Sequence, residues 1–190
     1  MVNAEFVTNE IGCFPADWEV VKLGNKAKIY RGGSPRPIQA YLTTSPSGIN
    51  WIKIGDVSPN AKYILLATEE KIIPEGISCS RQVHNGDFIL SNSMSFGRPY
   101  ILKIDGCIHD GWLVIQSYKT NFERDYLYYI LCYDIIMCQY VSMAAGSSVQ
   151  NLNKEKVNVV QVPKPPLHEQ RAIAATLSDM DAYITALEKL

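Results

Sequence analysis

Two arginines, Arg31 and Arg36, flank the segment Gly32-Gly33-Ser34-Pro35. Small residues in such a loop let backbone N–H groups approach an anion, and guanidinium forks on either side can grip a phosphate or a guanine edge. The surroundings point the same way: residues 20–55 hold six basic side chains, Lys22, Lys26, Lys28, Arg31, Arg36 and Lys53, and no acidic one. In a chain of formal net charge −1, a concentrated positive stretch is the footprint of a phosphate-binding face. The plainer alternatives are a solvated basic loop and, for Gly32 and Gly33, an ordinary turn.

A second polar loop runs through Ser91, Asn92 and Ser93 to Gly97 and Arg98. An asparagine amide there can pair bidentately with adenine and an arginine with guanine; turns that bond their own backbone are the competing reading. Further candidates for contacts with a polyanion are Lys53, Tyr100, His109, Trp112 and Lys119, the two aromatics doubling as candidates for the core. Ser147, Ser148, Gln150, Asn151 and Lys154 lie between two expected helical segments, where free N–H groups and hydroxyls suit a phosphate and capping is the alternative.

Catalytic patterns are weaker. Asp56 followed by Glu69-Glu70-Lys71 formally resembles a carboxylate and E-x-K set that could hold Mg2+ for nuclease chemistry, a pattern common by chance. The chain has no glycine-rich cofactor loop and no N/D-P-P-Y/F tetrapeptide, which argues against a methyltransferase. Its five cysteines form no C-x-x-C pair and none accompanies a histidine at ligand spacing. No metal site is therefore expected, and the thiols read as reduced and mostly buried in a cytoplasmic protein.

These residues need a scaffold. With 190 residues, 47% of them hydrophobic and 19% charged, the chain suits one soluble domain with an additional element. No apolar run reaches the length of about 18 residues that crosses a bilayer. Short apolar runs at 27–30, 49–57, 71–73, 87–91, 100–104 and 112–117, separated by Gly, Pro and Asn breakers, predict an antiparallel, twisted or barrel-like sheet. Residues 125–144 contain no Gly or Pro and repeat apolar residues at three- and four-residue steps, predicting one long buried helix capped by Asp125 or Asn121. Residues 157–162 alternate as a strand. From Leu167 a last helix carries Ile173, Leu177, Met180, Ile184 and Leu187 at steps of 4, 3, 4 and 3, the seam of a coiled coil. Such a helix is marginal alone in water, so it needs either a partner or a berth on its own domain.

Six blocks in order resemble one family, the DNA-specificity (S) subunits of type I restriction-modification systems. They are residues 15–23 (PADWEVVKL), 30–35 (YRGGSP), 51–57 (WIKIGDV), 86–91 (GDFILS), 146–152 (GSSVQNL) and 163–174 (PKPPLHEQRAIA). The last, leading into the heptad helix, is the most distinctive. The resemblance implies an α/β (α+β) target recognition domain over residues 1–165, with a curved, mainly antiparallel sheet and packed helices, followed by a helical spacer over 166–190. It further implies a non-catalytic reader of one half of a split double-stranded DNA target. Modification subunits would supply adenine methylation with S-adenosylmethionine, and a restriction motor-nuclease subunit would use ATP and Mg2+, so no cofactor is expected in this chain. Glu169 and Gln170, with the seam residues, would place the helix against partner subunits or a second copy. A typical member has two recognition domains and about twice this length. A half-subunit that self-associates and a shortened chain are both compatible with the sequence.

Overall fold

The computed structural model describes residues 5–58, 62–64, 67–92, 97–144 and 151–189. In chain order the first strands are β1 (Phe6–Asn9), β2 (Gly12–Pro15), β3 (Glu19–Lys22), β4 (Lys28–Arg31), β5 (Leu42–Thr43), β6 (Ile49–Ile52) and β7 (Tyr63–Ile64). There follow β8 (Glu70–Ile72), β9 (Arg81–Val83), β10 (Phe88–Ser91), β11 (Pro99–Leu102), β12 (Gly106–Ile108) and β13 (Trp112–Gln116). Helices α1 (Arg124–Cys132), α2 (Asp134–Ala144) and α3 (Lys154–Val159), strand β14 (Gln161–Lys164) and helix α4 (Leu167–Leu187) complete the chain.

Two five-stranded sheets form the body, in the orders β4-β13-β10-β11-β7 and β5-β8-β6-β12-β9. Pairing is antiparallel except for β11 with β7 and β12 with β6. Side chains of a strand alternate between faces, and here both faces are covered. Phe88, Leu90, Leu113 and Ile115 of β10 and β13 pack with Tyr126, Leu127, Leu131, Ile136 and Tyr140 of the helices. Their neighbours Ile89, Trp112 and Val114 face the second sheet, where they meet Ile52, Val83 and Ile108. The layers are thus helices, sheet, sheet, and the mixed α/β class with mainly antiparallel sheets is what the sequence led one to expect.

Three local expectations are corrected. The helix expected at 125–144 is two helices: Tyr133 is extended (φ −74°, ψ 142°), and the Glu123 carboxylate, not Asp125 or Asn121, caps α1 by accepting the Tyr126 N–H at 2.7 Å. A straight 20-residue helix would span about 30 Å; the break lets Ile136 and Tyr140 of α2 return to the core that α1 already lines. The strand expected at 157–162 is a helical turn followed by β14. Val157 and Val160, three apart, are both buried while Val159 is 47% exposed, a helical rather than an alternating pattern. Among the five thiols only Cys107 is buried.

Helix α4 begins after Pro166 and is held at its base. Gln170 is fully buried: its Oε1 accepts the Glu123 N–H at 2.8 Å, and its Nε2 donates to the carbonyls of Pro165 at 2.8 Å and Asn121 at 3.1 Å. The Trp18 indole donates to the Glu169 carboxylate at 2.9 Å. Gln170 therefore serves its own domain and is withdrawn from the expected partner interface, because a buried amide that satisfies three backbone groups has no atom left to offer a partner. Along the seam Ile173 and Leu177 are half-buried, whereas Met180, Ile184 and Leu187 are 57%, 53% and 50% exposed. The helix is docked on its own domain at its start and bare at its end.

Candidate nucleic-acid interface

Strand β4 ends at Arg31 and the chain crosses from the first sheet to the second through residues 32–37. Gly32 donates its N–H to the Trp112 carbonyl at 2.8 Å, and Gly33 donates to Ile108 at 3.2 Å. A Cβ on Gly32 would overlap the His109 carbonyl, and one on Gly33 would lie 2.9 Å from that of Cys79. The two glycines are required by close backbone approach, and their N–H groups are spent inside the protein. The expectation that Gly33 exposes its backbone to an anion is thus replaced by a structural role.

What that crossing delivers is a hub around Asp110, a residue that the sequence reading missed. Its carboxylate accepts the Ser34 hydroxyl at 2.9 Å and lies 3.6 Å from the Arg36 guanidinium. Its carbonyl accepts Arg31 Nε at 3.2 Å and Asn92 Nδ2 at 3.0 Å. Burial pushes the Asp110 carboxyl up, but the hydrogen bond from the Ser34 hydroxyl, with its own backbone N–H and the nearby Arg31, outweighs it, and the net shift is downward. Asp110 is an anion at neutral pH that holds two cations in place. Nothing near it in sequence announces this, since Ser34 and Asp110 are 76 residues apart.

Beside the hub opens a cleft of about 440 Å³ lined by Ser34, Arg36, Gln39, Lys53, Glu70 and His109, with Trp51 at its wall. Lys53 Nζ lies 2.8 Å from Glu70 and 3.9 Å from Glu69, and the hydrogen bond to Glu70 foremost pushes the ammonium pKa up. The carboxylate and E-x-K pattern weighed as a nuclease alternative does not assemble. Asp56 accepts the Lys53 N–H at 2.6 Å, Lys71 donates to the Pro46 carbonyl at 2.8 Å, and Glu70 holds Lys53. Among the described residues no group of three or more His, Cys, Asp or Glu could hold a metal.

The second expected loop joins the hub through its backbone. Asn92 donates its N–H to Gly111 at 3.0 Å and accepts that of Leu152 at 2.8 Å, so residues 31–36, 92, 109–111 and 151–154 share one edge. Asn92 is only 7% exposed, and Ser91 is fully buried in β10. Their expected role as base readers is corrected to that of organisers, because buried side chains cannot reach a groove. Tyr100 is likewise buried, edge-on to Trp112 at 5.8 Å between the sheets. Asn151 and Lys154 are exposed at this edge, and the Asn153 side chain caps α3 by accepting the Lys156 N–H at 2.9 Å. Ser93, Ser147, Ser148 and Gln150 lie outside the described residues.

Three expected cations stand elsewhere. In the β4–β13 register Arg31 opposes Leu113 but Lys28 opposes Gln116, which puts Lys28 at the far end of the sheet. Lys119, just beyond that end, lies beside Gly86. Arg98 lines a separate groove with Tyr128, Tyr129, Met137 and Asp181.

A two-sheet domain with a cation-rich edge and a helix extending from it has known counterparts. Residues 15–190 match the family described as the type I restriction modification DNA specificity domain, and the chain belongs to that family. It is 30% identical over 193 residues to a Methanocaldococcus jannaschii protein designated a type I restriction enzyme specificity subunit, MjaX, covering 98% of this chain and 42% of that one. The MjaIX specificity subunit of the same archaeon is 28% identical over 191 residues, covering 98% and 43%. Among solved structures, the HsdS subunit from Thermoanaerobacter tengcongensis superposes with a TM-score of 0.74 at 22% identity, covering 97% of this chain and 42% of that one. A chain from a structure of a type I restriction-modification system gives 0.73 at 23% identity, covering 93% and 41%. At these identities the two structures show a shared fold. The chain spans about two fifths of the length of the curated relatives it matches.

Proposed function

We propose that this chain is a non-catalytic DNA reader: residues 1–165 recognise one half of a split double-stranded target, and residues 166–190 are the helical spacer. The observation that carries the reading is the convergence of Arg31, Ser34, Arg36 and Lys53 with His109 on one edge, organised by Asp110. Arg36 is 81% exposed and only loosely paired, so a phosphate can take it from Asp110 at little cost. Modification subunits and a restriction motor-nuclease subunit would then act at the site that this chain selects. S-adenosylmethionine, ATP and Mg2+ would belong to those partners, and the complex would work on DNA in the cytoplasm. The bare end of α4, with Met180, Ile184 and Leu187, suits a helix from a second recognition domain or a second copy, giving a homodimer in the latter case.

The test is binding of the full chain, with and without modification subunits, to duplex DNA across a salt series. Sequence-selective binding that weakens steeply with salt is expected, about tenfold weaker in Arg36→Ala and with a salt slope lower by about one unit. Salt-independent binding, or affinity indifferent to Arg36, would sink the reading.

A further inference from the structure

We propose that His109 is a specificity-determining residue: its Nε2–H, locked in one tautomer and one position, reads a hydrogen-bond acceptor on a base edge and excludes cytosine from that position. The inference rests on the reading of the Asp110 edge as the face that meets DNA.

The tautomer follows from a single contact. His109 Nδ1 accepts the Gly111 N–H at 2.9 Å. A ring nitrogen that accepts a hydrogen bond carries no proton, so in the neutral imidazole the proton sits on Nε2. Among the described residues no group accepts that Nε2–H, while the half-buried ring lines the cleft beside Arg36 and Lys53. A fixed donor without a partner, in a cleft that also holds the exposed and loosely paired Arg36, is what direct readout requires.

Rigidity is the second part of the argument. The His109 N–H donates to Ile52 at 3.3 Å, its carbonyl accepts the Trp112 N–H at 3.0 Å, and Gly32 packs against that same carbonyl. The ring stands edge-on to Trp51 at 6.3 Å and 69°. The donor is thus held from the backbone, the ring face and the ring nitrogen, and little conformational freedom remains to be lost on binding. In the major groove guanine presents O6 and N7, adenine N7 and thymine O4 as acceptors, whereas cytosine presents only its N4 donor. A fixed N–H discriminates against cytosine and tolerates the others to different degrees.

Selection from a randomised duplex library with the full chain tests this, using the parent protein, His109→Ala, His109→Gln and Arg36→Ala. The parent should yield a motif with one position depleted of cytosine by about tenfold. His109→Ala should lose that depletion at that position alone, with the rest of the motif unchanged, while the lost Gly111 bond and Trp51 contact lower the melting midpoint by only about 2–5 °C. His109→Gln, whose amide nitrogen reaches the Nε2 position, should restore it. A uniform loss of affinity in His109→Ala, or an unchanged motif while Arg36→Ala weakens binding to all sequences, overturns the role of His109 and leaves the DNA-facing edge standing. A parent chain that selects no motif, or binding unaffected by both Arg36→Ala and His109→Ala, overturns the edge itself and the inference with it.

Discussion

Lys62 and Arg36 are both cations beside an aspartate, yet their surroundings give them opposite roles. Lys62 Nζ lies 3.2 Å from Asp125 and sits over the rings of Tyr129 at 4.5 Å, Tyr128 at 4.8 Å and Tyr63 at 5.5 Å. The side chains of Lys62 and Asp125 are 19% and 23% exposed, and Arg124 adds a second bond to Asp125 at 2.8 Å. Arg36 lies 3.6 Å from Asp110, with side-chain exposures of 81% and 38%. A caged, mostly desolvated pair joins the residue preceding β7 to α1 and is part of the fold. An exposed, screened pair holds a cation in readiness, because water already supplies most of what the carboxylate gives it. Charge alone does not mark a ligand site; the completeness of the protein's own partners does.

The largest expected effect tests the caged side of that contrast. Asp125→Ala should lower unfolding stability by about 2–3 kcal/mol in denaturant titrations, because it leaves Lys62 and Arg124 partly buried without their acceptor. A loss under about 0.5 kcal/mol would erase the distinction between the two pairs. Arg36→Ala should do the reverse, changing stability by no more than about 0.5 kcal/mol while costing the tenfold in DNA affinity given above.

The exposed end of α4 offers a comparison within one helix. Ile184→Asp should leave the melting midpoint within about 2 °C, since that side chain touches little of its own domain, and should abolish by light scattering the self-association expected if a second copy covers the helix, as proposed above. Leu177→Asp should also lower stability, by about 1–2 kcal/mol, because Leu177 lines a groove with Tyr126, Tyr129 and Ile130 of α1. Equal stability losses in the two variants would show that the helix is not divided as described.

The smallest effect is in acid. For Asp125 burial pushes the carboxyl up, but the bonds from Arg124 and Lys62 outweigh it, and the net shift is down, as for Asp110. A carboxyl depressed in the folded state contributes stability that is fully present above its unfolded pKa of about 3.9. That stability is lost as pH falls through the lower folded value. Urea midpoints between pH 5 and pH 2 should therefore fall less steeply in Asp125→Asn than in the parent, and Asp110→Asn should differ by only a few tenths of a kcal/mol, since its side chain is over a third exposed. A larger acid effect at Asp110 would reverse the ranking.

Much of the architecture was legible because its causes are local. Continuous apolar runs such as Trp112–Gln116 and Phe88–Ser91 are strands buried on both faces, and Pro166 followed by a four-three repeat is a helix start. The break at Tyr133 carries no Gly or Pro to announce it, since it answers to the position of a core assembled from distant strands. The valine-rich segment at 157–160 has β-branched residues but helical burial, and only packing against Leu23, in the turn that follows β3, and against β4 decides between them. The positive stretch at residues 20–55 was visible, whereas its counter-charges Glu70 and Asp110 come from other parts of the chain.

By itself the sequence determined the class of fold, the family blocks, the heptad helix and the loop in which the candidate DNA-contacting arginines sit, because each of these depends on residue types at short spacing. Tertiary structure alone decided which of the expected contact residues are spent internally, as Asn92 and Gln170 are, which are buried between the sheets, as Tyr100 is, and which stand together, as Arg31, Ser34, Arg36 and His109 do around Asp110. The physical reason is that a polar group's role follows from whether its partners are already satisfied within the fold, and those partners come from residues tens of positions away.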